Sequence, residues 1–269
     1  MTQSTNKGAA LITGASSGIG AAYADRLAKR GYDLILVARD QLRLEALAVK
    51  LRAATGVKVD VLRADLTDRA DLKAVEQRLQ TDPTITLLVN NAGIGGQGGF
   101  ENADLDAQER LIQLNVTAVT RLAGAVIPGL LARGGGAIIN IGSVLGYAAG
   151  MMPGAYSATK AYVVAFSQSL QAELAAKGVY VQAVLPAATA TEIWERSGMS
   201  IDALPPGSVM PTDDLVDAAL VGFDRGELVT LPSLPDVAQF EAFEAARLAM
   251  GPNFRNDRPA ARYRVAVEA

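Results

Sequence analysis

The chain has 269 residues, of which 50% are hydrophobic and 20% charged, and its formal net charge is −3. This balance is typical of a single globular domain and argues against a disordered chain, a nucleic-acid partner or an anionic-membrane partner. Because the sequence contains no cysteine and no histidine, it excludes disulfides, thiol nucleophiles and Ser–His pairs, and no metal site is predicted. Acid–base chemistry is left to Asp, Glu, Lys or Tyr.

The N-terminal residues 1–7 are polar, and we expect them to be disordered. No apolar core of a signal peptide follows them. The most hydrophobic runs, such as residues 179–186, are far shorter than the roughly 20 residues that span a bilayer. We therefore expect a cytoplasmic protein without a membrane partner.

Short β-branched runs alternate with longer amphipathic runs over the first two thirds of the chain. The predicted strands are 9–13, 33–38, 57–63, 85–89, 137–141 and 179–185, and the predicted helices are 18–30, 41–54, 68–80, 105–131 and 155–176. Nearly continuous apolar strands that alternate with helices indicate a parallel sheet covered on both faces. Right-handed crossovers then predict a single-domain, doubly wound α/β Rossmann fold of about seven strands.

Beyond Pro186 the hydrophobic periodicity weakens. Residues 187–211 include Pro205-Pro206-Gly207 and are predicted to form a substrate loop. Residues 212–269 are interpreted as a C-terminal extension of the same domain, with a helix near 213–224, a short strand near 228–231 and a last helix near 237–250. The whole chain, 1–269, is thus predicted to be one domain.

A glycine-rich turn, Thr13–Gly20, joins the first strand to the first helix. Glycines let the backbone turn tightly and approach a ligand, and a helix N-terminus offers N–H groups and positive potential to phosphates. The turn predicts a dinucleotide site formed by Gly14, Ser16, Ser17, Gly18, Ile19 and Gly20. A tight structural turn without a ligand is the alternative, because the spacing differs from the common G-x-G-x-x-G pattern.

Arg39 follows the second strand, where a carboxylate normally holds the adenosine ribose hydroxyls. A guanidinium can pair bidentately with a 2′-phosphate, so Arg39 favours NADP(H) over NAD(H). Against this, Asp40 follows directly, and Ser17 brings no second positive charge into the glycine turn. A solvated surface arginine is the alternative interpretation.

Tyr156 and Lys160 are four residues apart on the helix predicted after the fifth strand, so their side chains share one face. A free phenol has a pKa of about 10, and a neighbouring ammonium stabilises the phenolate. We therefore expect Lys160, together with the positive charge of a nicotinamide, to lower the pKa of Tyr156. In a chain without histidine, this makes Tyr156 the predicted general acid and base.

Several motifs, in order along residues 7–191, closely resemble those of the short-chain dehydrogenase/reductase family. They are the glycine turn, Asn90-Asn91-Ala92-Gly93 after the fourth strand, Ser143 after the fifth strand, and Tyr156-Ser157-Ala158-Thr159-Lys160. The resemblance implies an oxidoreductase that transfers hydride between a nicotinamide and a carbonyl or secondary alcohol carbon of a small molecule. It also implies a homodimer or homotetramer formed through the long helices after strands four and five.

The resemblance implies a role for each catalytic residue. Ser143 would hydrogen-bond the substrate oxygen, Tyr156 would exchange the proton, and Lys160 would also bind the nicotinamide ribose. Asn115 would fix a helix irregularity and a water in a proton relay, the alternative being a simple buried polar residue. Asn90 would support the central strands by hydrogen bonds.

Further cofactor contacts are implied by the same resemblance. Asn91, Ala92 and Gly93 would line the path of the cofactor. Asp65 and Leu66, after the third strand, would contact the adenine, although Asp65 could instead cap a helix.

Pro186 and Thr191 match a family segment that contacts the nicotinamide amide and the phosphates. Ala187 stands where the family has glycine, and its methyl group restricts the backbone. The local turn is therefore expected to differ from the family pattern.

An apolar substrate pocket closed by a mobile lid is predicted from residues on either side of the catalytic helix. Its expected substrate residues are Ser143, Leu145, Tyr147, Met151 and Trp194. Ordinary packing of these side chains is the alternative.

Two other functions stay open. One is a catalytically silent dinucleotide-binding or scaffold protein of the same fold, although such a protein has no need to retain Ser143, Tyr156 and Lys160 together. The other is an epimerase or dehydratase among the extended relatives of the family, which the short C-terminal region disfavours.

Overall fold

The computed structural model describes residues 7–96, 100–152, 154–198 and 200–264, without the side chain of Arg196. Apart from Lys7, the prediction for residues 1–7 lies outside the described residues. The chain divides into two compact units, Met1–Ser233 and Leu234–Ala269. The assignment of 1–269 to one domain stays a prediction.

Seven strands form one sheet in which every neighbouring pair is parallel. They are β1 (Ala9–Thr13), β2 (Asp33–Ala38), β3 (Val59–Arg63), β4 (Ile85–Asn90), β5 (Gly136–Ile141), β6 (Val179–Val184) and β7 (Val229–Thr230). Their order is β3-β2-β1-β4-β5-β6-β7, so the direction of winding reverses between β1 and β4. This confirms the predicted doubly wound α/β Rossmann fold, whose ligands bind outside the carboxyl ends of the strands at that reversal.

Nine α-helices are found in the described part of the chain. They are α1 (Gly18–Lys29), α2 (Gln41–Thr55), α3 (Arg69–Thr81), α4 (Leu105–Ile112), α5 (Val119–Ala132), α6 (Tyr156–Leu174), α7 (Ile193–Arg196), α8 (Thr212–Asp224) and α9 (Val237–Ala249). A π-helical segment, Gln113–Ala118, joins α4 to α5. Helix α9 belongs to the second compact unit and is capped by Asp236, whose side chain accepts a hydrogen bond from Ala238 N.

The strands are apolar on both faces because each face of the sheet is covered by helices. On β1, Ala10 and Ile12 pack in a core with α1, α2 and α8, whereas Leu11 packs in a second core with α3, α5 and α6. Successive strand side chains point to opposite faces, so one continuous apolar run supplies both cores. The carboxyl ends of the central strands are thereby held at one edge.

The helical segment Leu105–Ala132 corrects the expectation that no apolar stretch is long enough to span a bilayer. It has 28 residues and a mean hydropathy of 1.4 in its most apolar window, which suffices for a membrane span by length and composition alone. A core helix can meet the same criterion, and α5 packs on α3, β4 and β5.

The substrate loop, residues 187–211, was predicted to lack regular structure, and this prediction is wrong in part. The loop contains α7 and a turn of 3-10 helix, Ile201–Ala203. A bridge between Thr189 and Met210 ties its two ends together. A helix of four residues is too short to produce a recognisable periodicity.

Replacement of Tyr23 by Phe is expected to leave the free energy of unfolding unchanged or to raise it by up to about 2 kcal/mol. Tyr23 is fully buried on α1, and among the described residues no partner reaches its hydroxyl. A buried hydroxyl without a partner carries a desolvation cost that Phe removes. Denaturant unfolding of the two proteins measures the difference.

The matched control is Tyr180→Phe, in the same core. The Tyr180 hydroxyl donates to Glu227 O at 2.7 Å, so its removal should lower the unfolding free energy by about 1 kcal/mol. A loss of more than that in Tyr23→Phe would contradict the assignment of an unpartnered hydroxyl.

Candidate active site

The glycine turn brings the backbone to the point where the sheet order reverses. Gly14 and Gly18 have φ angles of +66° and +54°, which only glycine adopts readily. Ser17 is the N-cap residue of α1, but its side chain makes no capping hydrogen bond. By contrast, Asp40, Asp68 and Asp104 cap α2, α3 and α4. The first-turn N–H groups of α1 are thus left for an anion, which fits a cofactor phosphate.

Thr13 fastens the end of β4 to the glycine turn. Its Oγ1 accepts hydrogen bonds from Asn91 N and Ala92 N, each at 3.0 Å. In return, Asn91 Nδ2 donates to Thr13 O at 2.8 Å and to Gly14 O at 3.3 Å. This role of Thr13 is not predicted from the sequence, although Thr13 stands at the start of the glycine turn. Asn91 holds the turn through its side chain rather than only lining the cofactor path.

Gly20→Ala is expected to lower the free energy of unfolding by about 3 kcal/mol or more and to abolish dinucleotide binding. A Cβ at Gly20 would overlap Gly14 O and lie 2.5 Å from Asn91 Nδ2, so the turn would have to move. Thermal unfolding and nucleotide titration measure the two effects.

The control for this substitution is Gly124→Ala on α5, where a Cβ meets nothing within 4 Å. It should be neutral or stabilising by up to about 1 kcal/mol, because alanine is the better helix former. Equal losses in both variants would contradict a role for close packing at Gly20.

Asn115 lies in the π-helical segment and is 1% exposed. Its Oδ1 accepts from Ile94 N at 3.0 Å, and its Nδ2 donates to Ile94 O at 2.9 Å and to Thr159 Oγ1 at 3.2 Å. The side chain therefore connects the segment after β4 to α6. The helix irregularity implied by the family resemblance is present at this residue.

Asn90 begins a chain of buried side-chain hydrogen bonds across the central strands. Asn90 Nδ2 donates to Asn140 Oδ1 at 2.9 Å, and Asn140 Nδ2 donates to Ser167 Oγ at 2.9 Å. Ser167 in turn donates to Val163 O within α6. This chain fixes α6, and with it the catalytic face, against β4 and β5.

Ser143, Tyr156 and Lys160 come together at the ends of β5 and α6. Ser143 Oγ donates to Pro186 O at 3.3 Å and accepts from Leu145 N at 3.2 Å. Lys160 Nζ lies 5.7 Å from the centroid of the Tyr156 ring. Tyr156 thus lies between a hydroxyl donor and a buried cation.

Burial raises the pKa of Tyr156 to about 12, and hydrogen bonding by the Ser143 side chain acts in the opposite direction. The pKa of Tyr156 is thus raised by the surrounding protein, whereas the sequence predicts a lowered value; the contribution of Lys160 and of a nicotinamide charge to it stays a prediction. Desolvation of the phenolate outweighs the stabilisation that the Ser143 hydrogen bond gives it. At neutral pH the phenol is protonated and can serve as an acid.

Lys160 is 6% exposed, and its Nζ donates to Ile141 O at 2.9 Å. Burial lowers the pKa of this side chain to about 8. A Cβ at Gly93 would lie 3.6 Å from the same nitrogen, so Gly93 leaves the space in front of Lys160 open. The ammonium therefore faces the segment after β4 as well as Tyr156.

Arg39 lies exposed after β2. Partial burial opposes ionisation of Asp65, but hydrogen bonds from Thr67, with a smaller contribution from the Arg39 charge, lower the pKa of this carboxyl. Asp65 Oδ1 accepts from Thr67 N at 3.0 Å and from Thr67 Oγ1 at 2.7 Å, so it forms a turn and does not cap α3. Leu66 is 6% exposed and belongs to the core under α3. The adenine contacts assigned to Asp65 and Leu66 stay predictions.

The predicted substrate residues differ in their surroundings. Met151 is 77% exposed and Tyr147 36% exposed, with the Tyr147 hydroxyl accepting from Gln168 Nε2 at 3.3 Å. Leu145 is half-buried, and Trp194 Nε1 donates to Thr189 O at 2.8 Å. Their contact with substrate stays a prediction.

A cavity of about 330 Å³ lies between the glycine turn and the substrate loop. It is lined by Gly18, Ala190, Thr191, Glu192, Glu195 and Ile201. Thr191 is therefore close to the turn, as the family resemblance implies, and a Cβ at Gly18 would lie 3.2 Å from its Cγ2. Ile201, which the sequence also predicts as a wall of the substrate pocket, lines this cavity, whereas Leu145, Tyr147, Met151 and Trp194 are not among its lining residues.

The substrate loop also packs on the segment after β4. A Cβ at Gly95 would overlap the Ser197 side chain, and a Cβ at Gly96 would lie 3.0 Å from Tyr156 Cβ. Both glycines thus allow the loop and the catalytic tyrosine to approach this segment closely. Neither glycine is predicted as a site residue from the sequence. The only feature in the sequence that could have indicated this close packing is that Gly95 and Gly96 are adjacent.

The chain is similar to known proteins in both sequence and structure. A sequence model of the short chain dehydrogenase family matches residues 8–200. A very-long-chain 3-oxoacyl-CoA reductase of Anas platyrhynchos is 38% identical over 201 residues, which are 72% of this chain and 63% of that protein. The chain thus spans less than two thirds of the length of that curated relative.

Two solved structures resemble the chain over almost its whole length. A short-chain dehydrogenase from Sphingobium yanoikuyae in complex with NADPH is 55% identical, with a TM-score of 0.93, and the match covers 96% of this chain and 100% of that one. A bulky-bulky ketone specific alcohol dehydrogenase from Comamonas testosteroni is 48% identical, with a TM-score of 0.88, and the match covers 95% and 98% of the two chains.

Proposed function

The chain belongs to the short-chain dehydrogenase family, and from this premise we propose that it is an NADP(H)-dependent oxidoreductase acting on a ketone or the matching secondary alcohol. The observation that carries the proposal is the grouping of Ser143, Tyr156 and Lys160 at the carboxyl edge of the sheet, beside the uncapped N-terminus of α1. When bound, the nicotinamide cofactor supplies or accepts the hydride.

The chain's own residues supply the proton and hold the substrate. Tyr156 is protonated at neutral pH, so its hydroxyl donates a proton to the carbonyl oxygen during reduction. Ser143 donates a hydrogen bond to that oxygen and stabilises its developing negative charge. Lys160, held by Ile141 O, stabilises the phenolate that remains and holds the nicotinamide ribose.

Asn115 completes the site as a positioning residue. Its side chain fixes the segment after β4 to α6, where Tyr156 and Lys160 lie. The π-helical segment that contains it would hold the water of the proton relay that the family resemblance implies.

Preference for NADP(H) is proposed from Arg39 and from the NADPH complex of the Sphingobium yanoikuyae enzyme. Arg39→Gln should raise the KM for NADPH about 10-fold and leave the KM for NADH nearly unchanged, because only NADPH carries a 2′-phosphate. Initial rates with both cofactors measure this. Arg30→Gln, at the far end of α1 and paired with Asp224, is the control and should change neither KM.

A ketone with two bulky substituents is the proposed substrate class. It is supported by the specificity of the Comamonas testosteroni enzyme for bulky-bulky ketones and by the apolar side chains Leu145, Met151 and Trp194. The test is a panel of ketones with two small substituents, one bulky substituent or two bulky substituents. The decrease in NADPH absorbance measures the turnover of each ketone. Turnover confined to small charged keto acids would overturn the substrate class but keep the reaction type.

Membership of the family supports a homodimer or homotetramer assembled through α5 and α6. We also propose that the protein is cytoplasmic. Light scattering at several protein concentrations tests the assembly, and fractionation of cells tests the location. A monomer at all concentrations, or recovery with membranes, would overturn the respective proposal.

A catalytically silent nucleotide-binding protein is the second candidate. Tight NADPH binding without oxidation of the cofactor by any ketone of the panel would identify such a protein and exclude the enzyme. The joint presence of Ser143, Tyr156 and Lys160 in one cluster favours the enzyme.

A further inference from the structure

Glu192, in the substrate loop directly before α7, reaches two groups on the other side of the cofactor groove. Its Oε1 accepts from Arg43 Nη1 at 2.7 Å, and its Oε2 accepts from Ser17 Oγ at 3.4 Å. Ser17 belongs to the glycine turn, and Arg43 lies in the first turn of α2. The Glu192 carboxylate therefore lies between the glycine turn and the first turn of α2.

Arg43 and Ser17 are both donors of the kind that bind phosphate. A guanidinium and a hydroxyl accept either a carboxylate or a phosphate as their anion. Arg43 is four residues beyond Arg39, and Asp40 is its second anion at 3.4 Å. A phosphate bound to Arg43 would be a third anion beside this guanidinium, and repulsion between the like charges favours loss of the Glu192 contact.

We propose that Glu192 is an internal anion that holds Arg43 and Ser17 before the cofactor binds, and that the 2′-phosphate of NADP(H) takes Arg43 from it. Arg43 is then the second cation for the 2′-phosphate, beside Arg39. The exchange removes the ion pair between Arg43 and Glu192 and so couples cofactor binding to the substrate loop. This inference rests on the proposed NADP(H) function.

The exchange is energetically small, because the side chains of Arg43 and Glu192 are 49% and 38% exposed. An ion pair of this exposure changes an equilibrium only about two- to fivefold. Glu192 therefore tunes the affinity for the cofactor without blocking it.

The test measures equilibrium binding of 2′,5′-ADP and of 5′-AMP by calorimetry, so it does not depend on turnover. Glu192→Gln should tighten binding of 2′,5′-ADP about two- to fivefold and change binding of 5′-AMP less. Arg43→Gln should weaken 2′,5′-ADP by at least the same factor. In the Arg43→Gln background, Glu192→Gln should have no further effect.

The control is Asp224→Asn, which removes one negative charge from an ion pair with Arg30 at the opposite end of α1. It should leave both affinities unchanged. Unchanged or weaker binding of 2′,5′-ADP by Glu192→Gln would overturn the inference, and weaker binding would identify Glu192 as a clamp on the bound nucleotide. If wild-type protein bound neither NADPH nor 2′,5′-ADP, the proposed function itself would fail.

Discussion

Tyr156→Phe should lower kcat for ketone reduction by about 10³-fold or more while the Kd for NADPH changes less than threefold. The substitution removes only the hydroxyl, which is the proposed proton donor and is protonated at neutral pH. The ring stays to fill its place beside Gly96. Single-turnover kinetics and a fluorescence titration with NADPH measure the two quantities.

Tyr162→Phe provides the control for this variant. Tyr162 lies on the same helix, pairs with Thr120 at 2.7 Å and stacks on Phe166, so its hydroxyl is away from the reacting atoms. Its loss should cost about 1 kcal/mol of stability and change kcat only a few-fold. If Tyr156→Phe retained more than a tenth of wild-type kcat, another acid would have to serve the reaction.

Lys160→Met should abolish measurable turnover and yet raise the free energy of unfolding at pH 7 by about 1–2 kcal/mol. The drop of the Lys160 pKa from 10.5 to about 8 corresponds to a cost of about 3 kcal/mol for holding the buried charge. Losing the hydrogen bond to Ile141 O offsets part of the gain. Activity assays and denaturant unfolding test both parts.

The stability difference between Lys160→Met and wild type should also depend on pH. The folded pKa of Lys160, about 8, lies below its unfolded value of 10.5, so between these values the folded state binds fewer protons. Wild-type stability therefore gains from this residue as pH rises through that window. The advantage of the methionine variant should shrink between pH 7 and pH 10. A constant or growing advantage would contradict the burial argument.

Much of the fold is predictable from the sequence because the local pattern of apolar and polar residues determines where strands and helices form. The predicted bounds of β1 and β2 agree with the structure at both ends, and the glycine turn lies where strand gives way to helix. Apolar runs between amphipathic segments leave a parallel sheet as the arrangement that buries them. The order of the motifs likewise predicts Ser143 directly after β5 and Tyr156 and Lys160 on α6, where the structure has them.

Other features were missed because they depend on contacts between distant segments. Arg43 and Glu192 are 149 positions apart, and neither pattern nor spacing connects them. Helix α7 and the close packing of Gly95 on Ser197 depend on how the substrate loop folds back. Each is fixed by tertiary contacts rather than by local propensity.

The sequence by itself determined three features of the protein. The absence of histidine and cysteine restricts acid–base chemistry to Asp, Glu, Lys and Tyr. The hydrophobic periodicity determines the strand–helix alternation, and the 3.6-residue period of a helix pairs Tyr156 with Lys160 on one helix face. Only the tertiary structure decided the protonation of that pair. Burial raises the pKa of Tyr156 and lowers that of Lys160, since desolvation depends on every segment packed around a group and not on its neighbours in sequence.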